Sequence, residues 1–195
     1  SRKNHTFRLA SSLSLSPSGS FFSYGKQMSN SFQMAVDHIN TKIENVTVSL
    51  RICEDLSDSS YVLSNVPYMM EDFAPDFLLG PYSSTLTNVL ANYTTRSNIL
   101  LATSAAASTS VFENRTLIFG ILPPSKEYPT SSLNAWAGAV SIEGQSAANY
   151  TVGFFAEDTT FTNSMCSEIE SKAQALGFSI SASNLRNGNT HTHKH

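Results

Sequence analysis

Three short stretches of this sequence concentrate hydroxyl side chains just where an apolar run ends. "SPSGSFFSY" (16–24) follows "FRLASSLSL", "SSTLT" (83–87) follows "FLLGPY", and "TSAAASTS" (103–110) follows "NILLA". Hydroxyls donate and accept hydrogen bonds without carrying charge. Beside a helix N-terminus they also stand next to unsatisfied backbone N–H groups and the positive end of the helix dipole, a setting that suits a carboxylate or phosphate. The alternative is that one of Ser83, Ser84 or Thr85 caps a helix and the other hydroxyls are solvated. One stretch alone does not choose between the two.

Other groups able to do chemistry form weaker sets. Glu54–Asp55 and Glu157–Asp158 could supply an acid and a base, but neighbours in an extended chain point to opposite faces. His38, beside Asp37 late in a helical stretch, reads as a solvated pair. There is no glycine-rich phosphate loop, no G-x-S-x-G elbow and no H-E-x-x-H helix. His191, His193 and His195 alternate and would share one face of a strand as a weak metal chelate; with no cysteine or carboxylate beside them, a solvated tail is favoured. Cys53 and Cys166 are too few for a disulfide framework and lack metal spacing. Two unpaired buried thiols, or thiols with partners outside this sequence, are favoured over a bridge between them.

The 195 residues are 41% hydrophobic, enough for a packed core. The net charge of -3 and the absence of a Lys/Arg run exclude nucleic acid and an anionic membrane surface as expected partners. No apolar run approaches the roughly 18 residues of a membrane span, so membrane attachment would require a segment outside this sequence. "SRKNHTFRLA" has neither an initiator methionine nor a signal-peptide core and reads as the start of an excised or processed piece. Charged residues are only 14%, with Ser, Thr and Asn in their place, a surface suited to an extracellular setting. Asn4, Asn45, Asn92, Asn114 and Asn149 begin N-glycosylation sequons, but roughly four would arise by chance in a chain so rich in asparagine and hydroxyls.

The elements that must position these groups alternate. Residues 7–15 read as a strand, and Met28, Phe32, Ala35, Val36 and Ile39 mark the apolar face of a helix after a loop through Lys26. "VTVSLRI" is a second strand, followed by a loop with Ser57 or Asp58 as cap and a helix through Val62, Val66 and Met70 that Pro67 should kink or shorten. "FLL" is a third strand, after which Leu86, Val89, Leu90 and Tyr93 form one helical face. "NILLATS" and "TLIFGIL" are strands, 130–148 a helix, "TVGFFA" a strand, and Met165, Ile169, Ala173 and Leu176 a helix closed by Gly177 before "FSISAS". Such alternation predicts an α/β fold, a doubly wound parallel sheet, with ligands at the carboxyl ends of its strands. Three hydroxyl-rich exits on one sheet edge favour a pocket over a lone cap.

In this order, "FSYGKQMSNSFQMAVDHIN", "RICEDLSDSS", "PDFLLGPYSSTLTNVLANYTTRSNILLATSAAAS", "IFGILPPSKEY" and "YTVGFFAEDTTFTNSMCSEIESKAQALGFSI" resemble the type I periplasmic-binding-protein family in its receptor ligand-binding form. That form is shared by bacterial amino-acid-binding proteins and by the extracellular domains of class C G-protein-coupled receptors and receptor guanylyl cyclases. The resemblance covers residues 7 to about 182 and implies two doubly wound lobes closing on a small ligand. It puts Ser83, Ser84 and Thr85, with Thr103 and Ala105, where an amino-acid carboxylate is held, and adds Tyr24 from the first loop and helix and Asp158 from "AEDTTF". Ser84 takes the serine role. Ala105 stands where a hydroxyl is common and Phe161 where a tyrosine is frequent, so two polar contacts are missing.

The resulting expectation is a first ligand-binding lobe over 1–125, the truncated start of a second lobe over 126–183 and a disordered His-containing tail over 184–195. The function expected is non-enzymatic binding of a small polar or amino-acid-like molecule, extracellular or at the cell surface, periplasmic in a bacterium. No cofactor or metal and a dimer through the first lobe complete the expectation. The alternatives are an interaction module without a small ligand and, less favoured, an enzyme.

Overall fold

The structure, a computed structural model, describes residues 5–185, with side chains described through Ser181. Asn4, His191, His193 and His195 lie outside the described residues. Among those described, two compact units separate: one holds everything up to Ala106 together with Val111–Leu122, the other Ala107–Ser110 and everything from Pro123 onward.

In the first unit five strands alternate with helices: β1 (His5–Leu13), α1 (Phe22–Lys42), β2 (Val46–Glu54), α2 (Ser59–Pro67), β3 (Phe77–Leu79), α3 (Ser84–Ser97), β4 (Leu100–Thr103) and β5 (Ile118–Gly120). The strands form one wholly parallel sheet in the order β2-β1-β3-β4-β5. β1 lies inside the sheet between β2 and β3, with Leu9 opposite Leu50 on one side and Phe77 on the other. The α/β class and the doubly wound strand order agree with the alternation read in the sequence. Leu78 and Leu101 pack in the core with Val62 and Val66 of α2 and Leu86 and Leu90 of α3. Burying each leucine contributes about 1.5–3 kcal/mol.

Several boundaries differ from expectation. α1 begins at Phe22, inside the stretch read as loop, so Tyr24 is helical. Its apolar face is not simply core, for Val36 is buried while Met28 and Phe32 are half-buried and Ala35 is exposed. Pro67 ends α2 as expected, having no N–H to continue the ladder, and the chain goes on as a wide π-type turn over Tyr68–Phe73. β5, at the sheet edge, is only three residues long; Phe119 on it and Ile121 and Leu122 just after it are exposed.

The second unit contains α4 (Tyr128–Ile142), β6 (Thr151–Glu157), α5 (Thr160–Ala175) and β7 (Ser179–Leu185). β6 and β7 pair in parallel, Thr151 opposite Ser179. Leu133, Val140, Val152, Ala173 and Phe178 make its core, and Trp136 stacks on Phe178 at 4.5 Å between ring centres. α4 stops at Ile142, short of the expected 148, because Gly144 turns the chain in a left-handed conformation. Cys53 and Cys166 are both free and buried, and burial pushes both thiols' pKa values up.

Candidate binding groove

The groove begins where β1 ends. Gly25 lets the first turns of α1 lie directly on that strand's exit, since a Cβ there would stand 2.1 Å from the Ser14 carbonyl oxygen. Tyr24 is thereby held at the strand exit with 47% of its surface exposed. Gln27, Met28 and Ser31 follow it at i+3, i+4 and i+7 and share its helical face.

The exit of β3 supplies the opposite wall. Gly80 is packed so closely on β4 that a Cβ would sit 2.7 Å from Thr103 Cβ, and Pro81 then turns the chain to Tyr82. The Tyr82 ring stacks on Tyr24 at 4.4 Å and 2° between planes, with Phe21 packed on Tyr82 at 5.2 Å. Offset ring pairs of this kind add about 0.5–1.5 kcal/mol beyond their area. Ser104 and Ala105 from the exit of β4 and Phe32 of α1 complete an open cavity of about 290 Å³. It lies beside the place where strand order reverses, β1 to β3, the position at which open α/β sheets form ligand crevices.

Among the described residues no charged side chain lines this cavity; its polar groups are two phenols, one amide and two serine hydroxyls. Burial, then the neighbouring Tyr24, pushes the Tyr82 phenol up from its ordinary pKa, so it remains a neutral donor near neutral pH. A broader concavity of about 610 Å³ lies over α3, where the Arg115 guanidinium donates to Asn88 Oδ1 (2.8 Å), Asn92 Oδ1 (2.6 Å) and the Val111 carbonyl (2.8 Å). Those bonds commit the arginine to holding the chain before β5 against α3.

The residues singled out from sequence are distributed unevenly. Tyr24 and Ala105 line the cavity. Ser83 is the N-cap of α3, its Oγ accepting from the Leu86 N–H at 3.3 Å. Ser84 is buried in the first helical turn, Thr85 is half-buried beside it, and neither is without a partner. Thr103 is fully buried, its Oγ1 facing Gly80 and accepting from the Ala105 N–H at 3.4 Å, so Ser104 rather than Thr103 presents a hydroxyl to the cavity. Asp158 stands in the second unit, exposed, accepting from Asn163 Nδ2 at 2.8 Å.

The acidic pair Glu54–Asp55 is bound to backbone. Glu54 accepts from the Leu15 and Leu56 N–H groups at 2.9 and 2.7 Å, and Asp55 is fully buried. Of the cavity-lining residues, Gln27, Ser31 and Tyr82 were not singled out in the sequence, and Ser104 only as part of the hydroxyl stretch 103–110. The helical spacing from Tyr24 was a signal for Gln27 and Ser31; Tyr82, 58 positions from its stacking partner, had none.

A doubly wound lobe with a neutral crevice at the reversal of strand order belongs to the class of α/β small-molecule-binding folds. The profile of the periplasmic binding protein family matches residues 13–190, and the chain belongs to that family. No curated protein sequence matches it. Among solved structures, a leucine-binding protein of Thermotoga maritima superposes with a TM-score of 0.77 at 14% identity, covering 94% of this chain and 50% of that one. An ABC-transporter solute-binding protein of Rhodopseudomonas palustris BisB5, in complex with 3,4-dihydroxybenzoic acid, gives 0.74 at 14% identity over 93% and 47%. A branched-chain amino-acid transporter substrate-binding protein of Streptococcus pneumoniae, in complex with isoleucine, gives 0.70 at 16% over 94% and 51%. At these identities the likeness establishes the fold, and the chain spans about half the length of these structures. The family and these neighbours are binding proteins, not enzymes, which agrees with the absence of catalytic motifs in the sequence. Among the described residues no helix is long and apolar enough to cross a membrane, and no cluster of three or more His, Cys, Asp or Glu could hold a metal ion.

Proposed function

We propose that this chain is the ligand-binding part of a receptor or solute-binding protein working outside the cytoplasm, and that its groove takes a small polar, amino-acid-like molecule. The observation that carries the reading is the uncharged, tyrosine-walled cavity at the reversal of strand order. Such a lining suits a neutral or zwitterionic molecule or a single carboxylate, since a phosphate dianion would call for Arg or Lys. Leucine, isoleucine and 3,4-dihydroxybenzoic acid, named with three structures of this fold, are of fitting size and polarity. The proposed contacts are Tyr24, Gln27, Tyr82 and Ser104, with Ser83, Ser84, Thr85, Thr103 and Ala105 shaping the strand exits beneath them. Asp158 and a dimer through the first unit enter on resemblance alone.

Calorimetric titration with L-leucine, L-isoleucine and 3,4-dihydroxybenzoate tests this. Saturable binding of at least one, weakened about tenfold or more in Tyr82→Ala, is the expected result. Absence of saturable binding by all three would favour an interaction module instead.

A further inference from the structure

The loop after β2 is tied to the groove by an unbroken series of contacts. Leu56 and Ser57 both hold left-handed backbone, φ 49 and φ 61, which costs a non-glycine residue about 1–2 kcal/mol each. Two carboxylates hold that conformation: the Leu56 N–H donates to Glu54 Oε1 at 2.7 Å, and the Ser57 N–H to Asp55 Oδ1 at 2.8 Å. The posture aims the Ser57 hydroxyl at the β1–α1 connection. There its Oγ accepts from the Phe21 N–H at 2.8 Å and donates to Ser14 Oγ at 3.0 Å. α1 has no side-chain cap of its own, so Ser57 serves the residue at the cap position from a different strand exit. Phe21 in turn packs on Tyr82, and Tyr82 on Tyr24.

We propose that Glu54, Asp55 and Ser57 are positioning residues for the groove, a latch that sets the start of α1 and through Phe21 holds the Tyr24–Tyr82 stack. This deepens the ligand-binding proposal and rests on the groove being the binding site. None of the three lines the cavity. Ionised, Asp55 accepts on both oxygens at once, from the Ser57 N–H on Oδ1 and from the Ser12 hydroxyl on Oδ2 (3.4 Å), and the bond to Ser57 is charge-assisted. Facing it are Ser12 from β1, Ser57 from the same loop and the adjacent Glu54, among the described residues the one charged group acting on it. Burial pushes its pKa up to about 6, the Ser57 N–H opposes this, Glu54 adds to it and Ser12 opposes it. Mild acid therefore turns the oxygen facing Ser12 into a donor, leaves Oδ1 a neutral and weaker acceptor for the Ser57 N–H, and so slackens the latch.

The test uses the full chain labelled with 3-fluorotyrosine, each resonance assigned by Tyr→Phe replacement. As pH is lowered, the ¹⁹F signals of Tyr24 and Tyr82 should shift together with a midpoint near about 6 while that of Tyr150, in the other unit, does not follow them. Asp55→Asn should abolish that response. Ser57→Ala, which keeps the carboxylate but removes the bond to Phe21, serves if Asp55→Asn does not fold; it should place both signals at or beyond their acid positions already at neutral pH. A tyrosine pair whose signals ignore pH, keep titrating in Asp55→Asn, or stay at their native positions in Ser57→Ala would overturn the proposal. Because this readout needs no ligand, its failure is separable from failure of the L-leucine titration: bound leucine with unmoved tyrosines removes the latch only, and moving tyrosines without binding remove only the ligand assignment.

Discussion

Replacing Asp55 with asparagine should make stability less sensitive to pH, and the sign follows from where the carboxyl sits. Asp55 is fully buried, and burial raises its pKa from 3.8 to about 6. The folded state therefore binds the proton more tightly than the unfolded chain. The contribution is fully present below 3.8 and is lost as pH rises through about 6. The gap between those two values corresponds to about 3 kcal/mol, so in the native protein the ionised Asp55 is a stability cost at neutral pH. Asparagine keeps the shape and the acceptor oxygen but never ionises. Its stability relative to the native protein should rise by about 2 kcal/mol between about pH 4 and about pH 7.5. In urea unfolding this reads as a midpoint difference that widens with pH, and in thermal melts as a relative shift of roughly 4–8 °C. A stability difference that stays constant across that range, or narrows as pH rises, would refute the burial argument. The cost is intelligible if the carboxylate is kept for the stronger, charge-assisted bond it makes to the Ser57 N–H rather than to stabilise the fold.

Three further outcomes are expected. Ser83 sits at φ 93, ψ 150, a region nearly exclusive to glycine, so Ser83→Ala should lose the α3 cap and about 1 kcal/mol while Ser83→Gly is neutral or stabilising; chemical denaturation of both variants decides. Gly80→Ala should force the β3 and β4 exits apart and cost about 1–3 kcal/mol, read as a lowered thermal midpoint, and a midpoint equal to wild type would contradict the tight packing on Thr103. Phe155, 76% exposed on β6, should promote association through that sheet face, and Phe155→Ser should reduce hydrophobic-dye fluorescence and the weight-average mass in sedimentation.

Much of the architecture was legible because it depends on local pattern. The apolar face of α3 was visible as Leu86, Val89, Leu90 and Tyr93, and these residues are buried in or packed against the core. Asp58 was one of two caps proposed for α2, and its carboxylate does accept the Ser60 N–H at 2.7 Å. Element ends were less legible. "TLIFGIL" reads as seven strand residues, yet only Ile118–Gly120 pair in register with β4, with Leu117 and Ile121 adding one backbone bond each at the ends, because strand length is set by what β4 offers alongside.

By itself, then, the sequence determined the α/β alternation, the caps and breaks of individual elements, the lack of catalytic motifs and the gathering of hydroxyls at strand exits. Those features are written in spacings of a few residues, where helix and strand periods act directly. Tertiary structure alone decided the strand order β2-β1-β3-β4-β5, and with it which exits become neighbours. It decided that Tyr82 lies on Tyr24, that Ser104 and not Thr103 faces the cavity, and that Ser57 anchors Phe21 from 36 residues away. Parallel strands pair only through long crossovers, so no local pattern records which partner is chosen; that choice follows from burying all the apolar faces at once.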